Sequence, residues 1–208
     1  GHNWLLTKYD HSDAEHIALA DDDLVKIPPT WLKDMAKLME DHPNAAAVGG
    51  KALNPGLPKT IHGGIRNITA FNSNTVTLSN DNEALDFGQF DFIDKVDHVI
   101  GCLQLYRSKP LFGDVGLFDI KFSPVQFVDI EHHLRIKLLG YDILFNGLIS
   151  FEHLRSFGSK CSKEREYIGN SYGNRIKILY KYDLDKTNAF LRDQHVRYQN
   201  WLQSERLY

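Results

Sequence analysis

Five residues, His16-Ile17-Ala18-Leu19-Ala20, run straight into three consecutive aspartates, Asp21-Asp22-Asp23, and this junction constrains the fold more than any other feature of the chain. The run is too short for a helix and almost wholly apolar, so it predicts a buried strand that delivers the carboxylates to its C-terminal end. A helix start follows at Pro28-Pro29-Thr30, with Trp31, Met35, Leu38 and Met39 at helical spacing and Pro43 just past the end. Upstream, Asn3 to Tyr9 reads as the end of a helix and His11-Ser12-Asp13 as a turn. Ala45 to Gly49 predicts a second short strand and Val99 to Tyr106 a third, followed by a short helix over Ser108 to Gly113 and a turn at Leu117-Phe118-Asp119. Leu148 to Phe151 is strand-like again, while residues 54–95, rich in Asn, Gly, Asp and Thr, read as excursions and weak hairpins. Alternating strands and helices predict an α/β layered fold rather than an all-β one.

A second acidic pair, Asp129-x-Glu131, opens a helical stretch in which Ile130, Leu134 and Leu138 fall at i, i+4 and i+8 as a buried stripe and Gly140 is the stop. Two starts compete for this helix. Ser123-Pro124-Val125-Gln126 has the form of a capping box, whereas a start near Val128 puts Asp129 in the first turn, where the helix dipole favours an anion. In either case Asp129, His132 and His133 lie off the apolar stripe, available to a cleft. The His132-His133 pair has no Cys or second spaced His pair to complete a zinc site, so a solvated helix face is expected there.

With 208 residues the chain has enough sequence for one sizeable core. No apolar run approaches the roughly 18 residues of a spanning helix. The two cysteines, Cys102 in an apolar strand-like run and Cys161 in a polar loop, fit a reducing compartment, so a cytoplasmic protein, soluble or peripheral to the inner face of a membrane, is expected. Charge is unevenly spread: residues 155–208 carry 11 Lys and Arg against 6 Asp and Glu, a balance of +5, which leaves 13 against 21, or −8, for residues 1–154. A basic end can pack on the acidic body as solvated helices or contact anionic lipid or a polyanionic acceptor. Its aromatic residues, Tyr167, Tyr172, Tyr180, Tyr182, Phe190, Tyr198 and Trp201, read as helix packing.

Several motifs in order resemble one family. Ala18-Leu19-Ala20-Asp21-Asp22-Asp23-Leu24-Val25 followed by Pro28-Pro29-Thr30-Trp31-Leu32 is similar to the strand, DxD motif and helix of GT-A, family-2 nucleotide-sugar glycosyltransferases. Ala47 to Pro55 with Ile61-His62-Gly63-Gly64 resembles the next strand and loop of that family, and Val99 to Arg107 with Asp114-Val115-Gly116-Leu117-Phe118-Asp119 its acceptor-side strand and short helix. Phe127-Val128-Asp129-Ile130-Glu131 through Leu134-Arg135 and Gly140-Tyr141 occupies the place of the acidic catalytic motif. Coverage runs from about residue 3 to about 158.

The resemblance implies a GT-A-like mixed sheet flanked by helices over residues 1–158, with a helical, basic extension over 159–208. It implies transfer of a sugar from a nucleotide-diphosphate donor to a glycan, lipid-linked or other hydroxyl acceptor, inversion by direct displacement, and no nucleic-acid partner. Asp129 becomes the general base and Glu131 either a residue that orients the acceptor or an i+4 partner of Arg135. Asp21, Asp22 and Asp23 hold the donor, with Mn²⁺ or Mg²⁺ on Asp23 and Asp21 on the ribose or a metal-bound water; the triplet leaves the register open by one residue. Such ions take hard oxygen ligands and often only one or two protein carboxylates. His153 is a candidate second ligand or a structural residue. His62, Gly63, Gly64, Gly101 and Arg135 are candidates for the acceptor side, the glycines through close backbone approach or simply as tight turns.

Two departures stand out. Val128-Asp129 replaces the family's Glu-Asp, keeping only the second carboxylate. The nucleotide-binding strands that precede the DxD strand in the family by about seventy residues, two βα units, are not in this sequence, which opens at Gly1 without Met. The resemblance therefore implies an N-terminally truncated domain that binds donor very weakly, shows little or no transfer and self-associates. A non-catalytic glycan-binding relative and a metal-dependent phosphohydrolase are the competing expectations; the second lacks a nucleophile motif and another ligand cluster.

Overall fold

A computed structural model describes residues 2–63, 68–72, 75–78, 84–123, 127–154 and 171–205. Its centre is a mixed sheet in the order β1 (His16–Ala20), β8 (Leu103–Arg107), β3 (Ala45–Leu53), β9 (Asp142–His153) and β2 (Leu24–Val25). Strand β4 (Ile61–Gly63) pairs with β3 and β7 (Ile93–Val96) with β9, while β5 (Ile68–Asn72) and β6 (Thr75–Leu78) form a separate hairpin. Among the described residues only β3 and β9 pair in parallel, and the other pairings are antiparallel. Because β8 is antiparallel to both β1 and β3, strands β1, β3 and β9 all run the same way and end at one edge.

Period-two alternation sorts the strand side chains onto two faces. Leu103 and Leu105 of β8 and Leu144 of β9 join Met35, Leu38 and Met39 of helix α2 (Trp31–Asp41). Each of those three buried helix side chains contributes about 1.5–3 kcal/mol. Tyr106, Ile143 and Phe145 face the other way, onto Leu6 of α1 (His2–Lys8), Leu111 of α3 (Ser108–Phe112) and Ile136 of α4 (Val128–Leu138). Strand β3, with a helix layer over each face, is buried at every position. The result is an α/β layered fold around a mixed, open sheet. Ile130 and Leu134 of α4 then pack with Ile178 of α5 (Ser171–Lys181) and Leu191 of α6 (Leu184–Glu205), with Leu138, Tyr182 and Phe190 against them.

Element boundaries differ from the sequence-based expectation in informative places. Helix α4 starts at Val128 behind Phe127, whose φ of 69° breaks the chain direction, so Asp129 does lie in the first turn; Pro124, Val125 and Gln126 of the competing box lie outside the described residues. Strand β8 begins at Leu103 rather than Val99. Val99 and Ile100 are buried but unpaired, the Gln104 side-chain amide holds the Val99 carbonyl at 3.1 Å, and Gly101-Cys102 make a turn. Cys102 therefore sits in that turn and not inside a strand. His132 and His133 are fully buried, which corrects the expected solvated face: α4 is covered by the sheet on one side and by α5 and α6 on another. Tyr180 is exposed, Tyr182 and Phe190 pack as expected, and Cys161, Tyr167 and the side chains of Tyr172, Tyr198 and Trp201 lie outside the described residues. Among the described residues no helix is long and apolar enough to cross a membrane.

Candidate metal-binding and catalytic site

Strand direction assembles the site. Strand β1 ends at Ala20 and the backbone N–H of Asp21 donates to the Cys102 carbonyl at 2.9 Å, fixing the first carboxylate beside the turn that leads into β8. The chain then turns through Asp22 into β2, where Leu24 pairs with His153 and the Leu154 N–H donates to the Asp23 carbonyl at 3.0 Å. Those pairings set Asp23 against the last residue of β9. His153 Nε2 lies 2.9 Å from Asp23 Oδ1 and 3.7 Å from Asp21 Oδ2.

Asp21, Asp23 and His153 each offer one ligand atom, and these atoms lie within 4.8 Å of one another. Two ligands in cis positions on an ion at about 2.1 Å would be about 3 Å apart, so the cluster is compact enough to share one cation. Asp23 and His153 are each 16% exposed and Asp21 43%, which leaves an open side for a ligand or water. Partial burial holds the Asp21 carboxyl above its ordinary value; the His153 ring pulls it down and the Asp23 carboxylate pushes it up. Asp22 is exposed, outside the cluster. His62 of β4 borders the site, its ring 4.9 Å from that of His153. Two carboxylates and one imidazole form a mixed donor set, mainly hard oxygen with one borderline nitrogen, that accepts Mn²⁺ and suits Mg²⁺ less closely because of the nitrogen.

On the other side of the Gly101-Cys102 turn lies Asp129. Its side chain is 27% exposed, Oδ1 accepts the Ile130 N–H at 2.9 Å, and Oδ2 lies where a Cβ on Gly101 would stand only 2.9 Å away. A Cβ on Gly63 would in turn stand 2.5 Å from Ile100 Cδ1, so β4 packs directly on the same segment. Asp21, Asp23, His62, Gly63, Gly101, Asp129 and His153 are thus brought to one edge. Gly64 lies outside the described residues.

Glu131 and Arg135 are not brought there. The Glu131 side chain is fully buried and accepts from Arg135 Nη2 at 3.0 Å, Lys181 Nζ at 2.8 Å and Tyr182 Oη at 2.6 Å. Arg135 Nη1 donates to the Val115 and Leu117 carbonyls at 2.7 and 2.9 Å. Of the two roles expected for Glu131, the i+4 pairing with Arg135 is the one present. Burial pushes the Glu131 carboxyl up, but the hydrogen bonds from Lys181 and Tyr182 and the Arg135 charge outweigh it and hold the carboxyl below its ordinary value.

Sequence reasoning missed His98, which faces Asp129 with Nε2 3.7 Å from Oδ2. Its segment, Val96-Asp97-His98-Val99, carries no motif. The one available signal was a buried-strand context for polar Gln104 and Tyr106, whose spacing of two puts them on one face with some polar partner. A separate cavity of about 780 Å³, lined by Leu6, Tyr9, His11, His16, Arg107 and Phe112 among others, opens at the start of β1, roughly 17 Å of strand from Asp21, and includes none of the site residues above. Comparison with protein-family models finds no family that matches the chain, and comparison with curated proteins finds no match.

Proposed function

We propose that this edge is the reaction centre of a metal-dependent glycosyltransferase that moves a sugar from a nucleotide-diphosphate donor to a hydroxyl acceptor. One observation carries the proposal: the Asp21–Asp23–His153 cluster and the partly exposed Asp129 carboxylate flank a single turn at the C-terminal ends of strands running the same way, where open α/β sheets bind their ligands. A bound divalent ion supplies neutralisation of the charge that grows on the leaving diphosphate oxygen. Asp21, Asp23 and His153 hold it. The acceptor oxygen bonds to the anomeric carbon as the carbon–oxygen bond to the diphosphate breaks, and Asp129 takes the acceptor's proton as general base. His62 and Gly63 border the space where the sugar lies. A GT-A-type arrangement and inversion of configuration belong to the same proposal.

The test uses the full chain with Mn²⁺ and a panel of nucleotide sugars, scoring donor binding by calorimetry and nucleoside diphosphate release with and without hydroxyl acceptors. Asp129→Asn is expected to keep donor affinity within a few fold and to lose transfer, because a general base acts in the transition state and adds little to ground-state donor binding. Absence of any metal-dependent nucleotide-sugar binding would refute the proposal. Donor cleavage that needs no acceptor and survives in Asp129→Asn would identify a phosphohydrolase instead.

A further inference from the structure

Behind Asp129 lies a set of polar side chains to which the proposed reaction assigns no role. His98, His133, Gln104 and Tyr106 are each no more than 1% exposed. They come from three places: His98 from the segment before β8, Gln104 and Tyr106 from one face of β8, and His133 from α4. Tyr106 Oη donates to Gln104 Oε1 at 2.5 Å, and Gln104 Nε2 donates to the Val99 carbonyl at 3.1 Å and stands 3.3 Å from His133 Nε2. The two rings meet at 2.7 Å between His133 Nδ1 and His98 Nδ1. His98 Nε2 then faces Asp129 Oδ2 at 3.7 Å, just beyond hydrogen-bond length.

Proton counting allows this chain two directions, and the charge at its Asp129 end selects one. His133 Nε2 stands 3.3 Å from the Gln104 amide nitrogen, which can only donate, and 3.2 Å from Tyr106 Oη, whose own proton is on Gln104 and which can accept. A bare His98 Nε2 would set a lone pair against the Asp129 carboxylate, so the proton there belongs on His98, and His133 Nε2 accepts from Gln104. A neutral imidazole has one proton, which on His133 must then sit on Nδ1. Burial, reinforced by the neighbouring His98 ring, holds the His133 imidazole well below its ordinary value, so it is neutral at pH 7. His133 Nδ1–H donates across the 2.7 Å contact, which leaves His98 Nδ1 bare and puts the His98 proton on Nε2, toward Asp129.

We infer that His98 is a positioning residue for Asp129, its Nε2–H aimed at Oδ2 and its tautomer matched by His133 and the Gln104 amide behind it. The inference rests on the base role proposed for Asp129. A neutral N–H suits that role. A cation in the same place would compete for the carboxylate's lone pairs and weaken it as a base, whereas an uncharged donor orients it and leaves lone pairs for the acceptor hydroxyl.

Nitrogen-15 NMR of the imidazoles at pH 7 is expected to show His98 protonated on Nε2 alone and His133 on Nδ1 alone. A His98 proton on Nδ1, or on both nitrogens, overturns the inference. His98→Phe removes the donor and His98→Gln restores an N–H near the same place. If the Phe variant does not fold, the wild-type tautomers and the transfer rate of the Gln variant still decide. In the transfer assay the Phe variant is expected to lose about 100-fold in kcat at unchanged donor KM, with most of it recovered by Gln, and equal loss in both would mean a merely structural role. Wild-type protein that shows the expected tautomers and no transfer refutes the reaction and leaves the positioning contact standing.

Discussion

Glu131→Gln is the sharpest test of how the layers are joined. Glu131 lies on α4 two residues beyond Asp129, and its three donors come from α4 itself, from the end of α5 and from the residue just after it. Lys181 also bonds Asp119 at 2.7 Å, so one buried carboxylate ties the helix that carries the candidate base to the C-terminal helices and to the loop beside them. Glutamine keeps the volume and one acceptor oxygen but turns an NH₂ group toward at least one of three donors. Hydrogen bonds to charged groups are worth about 1.5–3 kcal/mol each, and removing one partner of a buried ion pair costs about 3–5 kcal/mol. The Arg135 and Lys181 side chains are 22% and 35% exposed and regain water when released, which places the loss at the lower end, about 3 kcal/mol. For a chain of this size that lowers Tm by about 6–12 °C.

The pH dependence has a definite sign. Because the folded carboxyl is held below its ordinary value of 4.5, its contribution is fully present above that value and is lost as pH falls through the folded value. Urea denaturation of both proteins between pH 7 and 4 should therefore show a constant gap near neutrality that narrows only in acid. A loss at pH 7 under about 1 kcal/mol, the range of an exposed pair, with unchanged m, would refute the buried cluster. So would a gap that widened in acid.

Asp23→Ala should remove Mn²⁺ binding measured by electron paramagnetic resonance, whereas Asp22→Ala, on the exposed turn, should leave it within a few fold; equal losses would put the ligand register off by one. Gly101→Ala places a Cβ 2.9 Å from Asp129 Oδ2 and 3.4 Å from its Cγ. The carboxylate must give way, at about 0.5–1.5 kcal/mol of rotamer strain, so stability by denaturation should change little while transfer falls about 100-fold; wild-type transfer rates would mean that the Asp129 orientation does not matter.

Legibility in the sequence followed the range of the interactions. Helix α2 and strand β1 were readable because their signals are local: prolines at the start, apolar residues at helical spacing, carboxylates after an apolar run. Strand β9 was half visible, since Leu148 to Phe151 reads as strand while Asn146 and Gly147 separate it from Ile143 to Phe145 in a strand that in fact begins at Asp142. The Gly101-Cys102 turn was read as strand because Val99-Ile100 is β-branched and apolar, as strands are. What bends it is tertiary: Ile100 packs on the bare Cα of Gly63 and Gln104 reaches back to the Val99 carbonyl. His132 and His133 were misplaced for the same reason, because a helix wheel assigns one apolar face and α4 is covered on more than one. Within the site, Asp21 and Asp23 were legible as a pair, Asp129 as a first-turn carboxylate, and His153 as one option of two. The meeting of these groups across one turn depends on strand order, which has no local signal.

That order also explains why an antiparallel strand stands in the middle of the site. Strands β1, β3 and β9 deliver their C-terminal ends to one edge, and helix α4 begins there and runs back to the start of β9. A parallel β8 would begin at the far edge, leaving a gap between the end of β1 and the first turn of α4. Because β8 is antiparallel to both neighbours, it begins at the near edge instead, and its leading turn fills that gap. Cys102 offers a carbonyl to Asp21 on one side, and Gly101 offers a side-chain-free surface to Asp129 on the other. Two carboxylate groups that would repel if packed together are thus held apart by one backbone turn. The metal-competent cluster stays on the open side of the sheet edge, and Asp129 stays against the Gly101 backbone at the positive end of its helix, which is the separation that the proposed leaving-group site and proton acceptor require of each other.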